Sequence, residues 1–167
     1  MLVHHPGSRN YLLTALDATP NLCTALLHGL MEEEADFSPD PARFSIREVM
    51  AHLADWDQIF LARIKLTIKE ETPPLKEFDE GQRALDFDYA HSDVWKELRL
   101  FHEHRPHVTE FLRALSTDEW ERICFHPRIG HMSVEALATL VALHDTYHLS
   151  QIAQWRQTYA VYQSVLD

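Results

Sequence analysis

Two histidines four residues apart, His144 and His148, lie in the stretch Leu143-His144-Asp145-Thr146-Tyr147-His148-Leu149-Ser150-Gln151-Ile152. On a helix that spacing puts both rings one turn apart on the same face, within reach of a single metal ion. Spacing alone is weak, because twelve histidines in 167 residues give about one such pair by chance. Placement is more informative. Leu137, Val141, His144, His148, Ile152 and Trp155 follow steps of three and four, so both histidines fall on the face that should meet the core. A buried imidazole needs a partner for each ring nitrogen, and a metal is one such partner.

A third candidate is His52, beside Val49 and Trp56 on the apolar face of an earlier helix. Three histidines from two helices suit a tridentate metal site inside a bundle. Neutral imidazoles favour zinc, nickel, copper or iron over calcium or magnesium, which prefer oxygen. Three protein ligands leave a position for water or substrate, as in catalytic sites. The competing reading is three separate core histidines, each bonded to a carboxylate or carbonyl, and nothing local ties His52 to the other two. Asp55, one turn after His52, is a candidate base, ligand-supporting group or solvent-facing end of the face. Gln151, two turns after His144, is a candidate to hydrogen-bond a metal-held water or to fill packing space. Trp56 and Trp155 are expected to wall the pocket. Asp145 points about 100° away from His144 on the helix, toward an exposed or interhelical ion-pair role.

The elements that must position these residues are helical. Only four glycines and long stretches at helical period argue for an all-α fold, and 167 residues suit one domain, 1–167, with a sizeable core. A helix from about Ser8 to Met31 carries Leu12, Leu16, Cys23, Leu27 and Leu30. Pro20 either kinks it or follows Thr19 as the cap of a second segment; the single kinked helix is favoured. The acidic run Glu32 to Asp36 reads as a solvated helix end, and Phe37 to Pro41 as a loop. Ser45 and Glu48 form a capping box opening a helix to about Lys69. Pro73 to Tyr89 reads as a long connection that places the next helix across the bundle from the second. That third helix spans about Ser92 to Leu115, with His102, His104 and His107 on a solvated face. Ser116 and Glu119 cap a short turn through Trp120, Phe125 to Met132 is loop, and Ser133 caps a last helix to about Tyr159.

Charge and composition exclude partners. A net charge of −11 opposes nucleic acid and anionic membranes, and no apolar run approaches the roughly 20 residues of a membrane span. Met1 to Pro6 lacks the basic and apolar regions of a signal peptide. Cys23 and Cys124 form no framework, as expected of free thiols in a reducing cytoplasm. Wide apolar arcs on the first helix and over Phe101 to Phe111 suggest a homodimer packed through helices.

Two segments carry a resemblance: Ser45-Ile46-Arg47-Glu48-Val49-Met50-Ala51-His52-Leu53-Ala54-Asp55, and His144-Asp145-Thr146-Tyr147-His148-Leu149-Ser150-Gln151-Ile152-Ala153-Gln154-Trp155-Arg156. Together they resemble the DinB/YfiT-like family of four-helix metalloproteins, across nearly the whole chain. The resemblance implies that His52, His144 and His148 are the metal ligands, with zinc or nickel favoured. It also implies an up-down-down-up bundle and frequent homodimers. For activity it implies a thiol S-transferase joining a low-molecular-weight thiol to an electrophilic small molecule, or a metal-dependent hydrolase. A non-catalytic metal-binding stress-response protein is the reading from a different class.

Overall fold

In the computed structural model, residues 6–166 are described; the signal-peptide reading of Met1 to Pro6 lies, but for Pro6, outside them. Four long helices form the bundle: α1 (Pro6–Leu26), α3 (Ile46–Lys69), α5 (Val94–Arg113) and α7 (Val134–Leu166). Short helices α2 (Glu32–Asp36), α4 (Glu80–Asp86) and α6 (Thr117–Trp120) lie in the connections, with a 3-10 turn at Tyr89–His91. A hairpin of β1 (Ile123–His126) and β2 (Gly130–Ser133) precedes α7.

Core composition gives the helix directions. At one end Cys23 of α1 and Leu27 just beyond it pack with Ile46, Val49 and Leu53 of α3, Val94, Leu98 and Phe101 of α5, and Ile152 and Trp155 of α7. At the other, Leu13 and Leu16 meet Phe60 and Ile64, Val108 and Leu112, and Val134 to Val141. The starts of α3 and α5 therefore share an end with the finishes of α1 and α7. This is the up-down-down-up order, and the parallel α3 and α5 require the long connection between them.

Sequence signals set the helix ends. Ser45 and Glu48 make both halves of the capping box: Ser45 Oγ accepts from the Glu48 N–H and Glu48 Oε2 accepts from the Ser45 N–H at 2.8 Å. The same box opens α6 at Ser116 and Glu119. Ser133 Oγ accepts from the Ala136 N–H at the start of α7. Helix α1 runs unbroken through Pro20, and Thr19 donates its hydroxyl to the Ala15 carbonyl instead of capping a second segment. The chain leaves α1 through Gly29, whose φ of +70° is the left-handed conformation that glycine adopts without a Cβ penalty.

Several expectations need correction. Glu32 to Asp36 is a separate short helix, and Glu34 within it is buried against Arg156. Arg47 of α3 holds its two ends through Glu32 and Asp36. The segment from Pro73 to Tyr89 contains α4, and α5 packs directly against α3 instead of opposite it. Phe125 to Met132 belongs to the hairpin, with Cys124 opposite Met132 and His126 opposite Gly130. The connection from α3 is sewn to that hairpin: the Leu75 N–H donates to the Phe125 carbonyl at 2.8 Å, and the Phe125 N–H to the Pro73 carbonyl at 2.9 Å. Weak periodicity hid both elements, because four-residue strands and a seven-residue helix carry too few residues to show one. Helix α7 continues to Leu166. Phe101 and Val108 are fully buried within the single chain, so the core accounts for that part of the apolar surplus. Both cysteines are free and buried, and among the described residues no helix is long and apolar enough to cross a membrane.

A buried ion cluster joins the four long helices. Arg105 of α5 donates from Nε and Nη2 to Asp57 of α3, at 2.9 and 2.7 Å, and from Nη1 and Nη2 to Asp145 of α7. Its Nη1 also reaches the Leu16 carbonyl of α1 at 3.3 Å. All three charged side chains are buried. Replacing Arg105 with Met should strand two buried carboxylates and cost about 3–5 kcal/mol. Urea unfolding at pH 7 checks this; a loss under about 1 kcal/mol would show that the cluster is not what joins the helices.

Candidate metal centre

His52 stands on α3 and His144 and His148 on α7, and one ring nitrogen from each lies within 4.8 Å of the others. The ring centroids are 4.6 to 4.9 Å apart in all three pairs. The Nε2 atoms of His52 and His144 face each other at 2.8 Å. His52 and His148 are buried and His144 is partly exposed.

The orientation of His148 follows from its neighbours. The Phe44 carbonyl can only accept, and it receives Gln151 Nε2 at 2.6 Å and Trp155 Nε1 at 2.9 Å. Gln151 must therefore turn Oε1 toward His148, whose Nδ1 lies 3.2 Å away and donates. That leaves Nε2 of His148 unprotonated and free to join the other two. Gln151 is thus placed as a support for the ring, with both amide ends engaged. His52 is held between the rings of Phe44 and Trp56, at 5.2 and 5.1 Å.

The donor set fits a borderline transition metal. Burial, and after it the neighbouring His144, pushes the His148 pKa down to about 3. Burial and the other two imidazoles hold His52 well below the usual histidine range. Both rings are therefore neutral at pH 7, the form in which imidazole binds metal. Without a metal the facing Nε2 atoms of His52 and His144 can share only one proton. The accepting ring then carries its proton on Nδ1, and neither Nδ1 has a hydrogen-bond partner. Asp145 Oδ1, 3.8 Å from His144 Nδ1, is the nearest charge. Burial pushes the Asp145 carboxyl up, but His144 and Arg105 outweigh it and keep the group ionised. Asp145 fulfils the interhelical role expected of it, though buried instead of exposed.

The other expected residues take separate places in the structure. Both oxygens of Asp55 are engaged, by Arg83 of α4 and by the Tyr89 hydroxyl, so Asp55 ties the connection onto α3. Trp56 walls a cavity of ≈ 200 Å³ that reaches His144 and is also lined by Phe60, Arg63, Phe78 and His126. Trp155 lies in the core near Phe44, with Arg43 over its ring, and does not line that cavity. His102 bonds Thr24 and His104 the Ala54 carbonyl, away from the cluster. Sequence reasoning missed Arg105, Asp57, Arg63 and His126. Arg105 and Arg63 did leave a signal: charged residues at helical spacing from the core positions Phe101 and Val108, and Phe60 and Trp56.

The family model of the DinB superfamily matches residues 15–152. The chain belongs to the DinB superfamily. A relative from Oceanobacillus iheyensis, named "Putative metal-dependent hydrolase OB0782", is 30% identical over 143 residues, covering 86% of this chain and 83% of the relative. YfiT of Bacillus subtilis, which carries the same kind of name, is 24% identical over 143 residues, covering 85% of this chain and 80% of the relative. The solved structure of YfiT, described as a probable metal-dependent hydrolase with an unusual four-helix bundle topology, superposes with a TM-score of 0.89. It is 22% identical and covers 96% of this chain and 92% of that one. At that identity the superposition shows the bundle fold.

Two predictions follow from this geometry. Replacing His52, His144 or His148 with Ala should each abolish stoichiometric metal in elemental analysis, while Ala at His102, His104 or His107 should leave it intact. Metal retained by His52→Ala would place the site elsewhere. In metal-free protein, the unfolded chain takes up a proton below about pH 6.5 that folded His148 refuses. Stability contributed by the neutral ring is therefore full above pH 6.5 and falls with acid, by about 2 kcal/mol at pH 5. His148→Gln should flatten the fall in unfolding free energy between pH 7 and 5, and an unchanged slope would contradict the assignment.

Proposed function

We propose that this chain is a metal-dependent enzyme that transfers a low-molecular-weight thiol onto an electrophilic small molecule. The observation carrying this reading is that the donor cluster contains three imidazoles and no carboxylate, while Asp55, the candidate base on α3, is bound to Arg83 and Tyr89. A divalent metal on His52, His144 and His148, zinc or nickel by the donor type, supplies Lewis-acid chemistry that lowers the pKa of a thiol or water. A thiol with a free pKa near 8.5 needs only a small drop to ionise at neutral pH. Water needs a much larger one and gains more from a protein base.

The chain's own residues supply the rest. Gln151 fixes the His148 ring so that its Nε2 is presented, and Asp145 lies beside His144. Trp56, Phe60 and Phe78 give the cavity apolar walls that exclude water from the reacting atoms. His126 accepts the Arg128 N–H at Nδ1, which leaves its Nε2–H as a donor to substrate in the same cavity.

Hydrolysis is the second reading, favoured by the names of the relatives. The two part on co-substrate. Zinc- or nickel-loaded protein given a low-molecular-weight thiol and monochlorobimane should form the conjugate, and His144→Ala should abolish metal-dependent conjugation. Absence of conjugation with glutathione, mycothiol and bacillithiol, together with metal-dependent cleavage of an ester panel, would replace the transferase by the hydrolase. Asp55→Asn should leave chemistry largely intact while lowering the melting temperature. A loss of turnover of about a hundredfold or more with an unchanged melting temperature would restore Asp55 as a base.

A further inference from the structure

Arg63 is the buried charged group lining the cavity, and the metal chemistry does not use it. It stands on α3 two turns beyond Trp56, is 7% exposed, and lines the same cavity as His144. Its guanidinium carbon lies 5.6 Å from the Trp56 ring centroid and 5.5 Å from that of Phe78. The His144 ring lies 5.8 Å from the same Trp56 ring. Trp56 is therefore a wall shared by the imidazole cluster and Arg63.

The partners of Arg63 are incomplete. Nη2 donates to the Lys76 carbonyl at 2.9 Å, while Nε is buried with no hydrogen-bond partner. Among the described residues Arg63 forms no ion pair, whereas Arg105, Arg83, Arg47 and Arg156 all bind carboxylates. The other charges around the cavity do not supply one: Glu77 is taken by Arg128, and Glu80 is exposed. Burial lowers the Arg63 pKa, yet the group stays cationic, since arginine does not deprotonate in proteins. A buried cation with an unused donor is costly unless an anion completes it. Aromatic rings over the guanidinium leave its in-plane N–H groups free of stacking, and Nη1, which is not buried as Nε is and has no hydrogen-bond partner among the described residues, is the donor that can receive a carboxylate.

We propose that Arg63 recognises a carboxylate on the substrate, so that the cavity takes a small organic acid. Its apolar or planar body lies against Trp56, Phe60 and Phe78, and its reacting end lies at the His52, His144 and His148 cluster. This rests on the reading above only in treating the cavity as the substrate's seat. Arg63 acts here as a binding and positioning residue.

Calorimetric titration of metal-loaded protein with benzoate and with its neutral partner benzamide tests the assignment. Wild type should prefer benzoate at least tenfold. Arg63→Met should erase that preference with benzamide binding unchanged, and Arg63→Lys should recover part of it, having charge without the fork. His52→Ala should keep the preference, which separates Arg63 from direct capture of the carboxylate by the metal. If Arg63→Met fails to fold, the guanidinium N–H resonances of wild-type Arg63 decide the matter, and they should shift on adding benzoate but not benzamide. Benzoate binding that survives Arg63→Met and disappears in His52→Ala would overturn the proposal, as would no benzoate preference in wild type at millimolar concentration. Preference intact without turnover of any substrate would sink the enzymatic reading and leave the anion site standing.

Discussion

One buried arginine holds the bundle in the arrangement that the site requires. Arg105 lies where α5 would otherwise present an apolar residue, and it binds Asp57 of α3, Asp145 of α7 and the Leu16 carbonyl of α1. Asp57 is five residues after His52, and Asp145 directly follows His144. A bond network fixing these two carboxylates fixes how far α3 and α7 can slide past each other, and so whether His52 meets His144. Hydrophobic contacts alone tolerate such sliding better, because they lack direction. Buried charges are expensive and do not by themselves argue for stability. In this bundle they set register, and every donor on the Arg105 fork has an acceptor.

The same cluster shapes the electrostatics of the centre. One guanidinium and two carboxylates leave a net negative charge buried beside His144. The three imidazoles are neutral ligands, so a divalent cation there would keep its full charge among apolar walls. Asp145 partly offsets that charge while remaining outside the donor set. The arrangement separates two tasks: neutral rings leave the metal strongly Lewis-acidic, and a nearby fixed carboxylate makes the cation's burial less costly.

Much of this was legible in the chain. The capping boxes at Ser45 and Ser116 gave helix starts to the residue, and the steps through Leu137, Val141 and His148 gave the buried face of α7. His52 could be joined to the α7 pair only through resemblance, because no local pattern encodes a contact between residues 92 positions apart. Asp55 and Trp155 had the right spacing and face, yet their tertiary partners, Arg83 and Tyr89 for one and the Phe44 carbonyl for the other, took them elsewhere. The role of Gln151 depended on that same carbonyl. Arg105 and Arg63 were visible only as charges out of place on apolar faces, and which acid each binds is decided by packing.

X-ray absorption spectroscopy of the zinc-loaded protein tests the central claim most directly. One ion per chain, with multiple-scattering features of three imidazoles and nitrogen at about 2.0–2.1 Å, is the result this account predicts. A sulfur shell at about 2.3 Å, or an oxygen-dominated shell with fewer than two imidazoles, would contradict it.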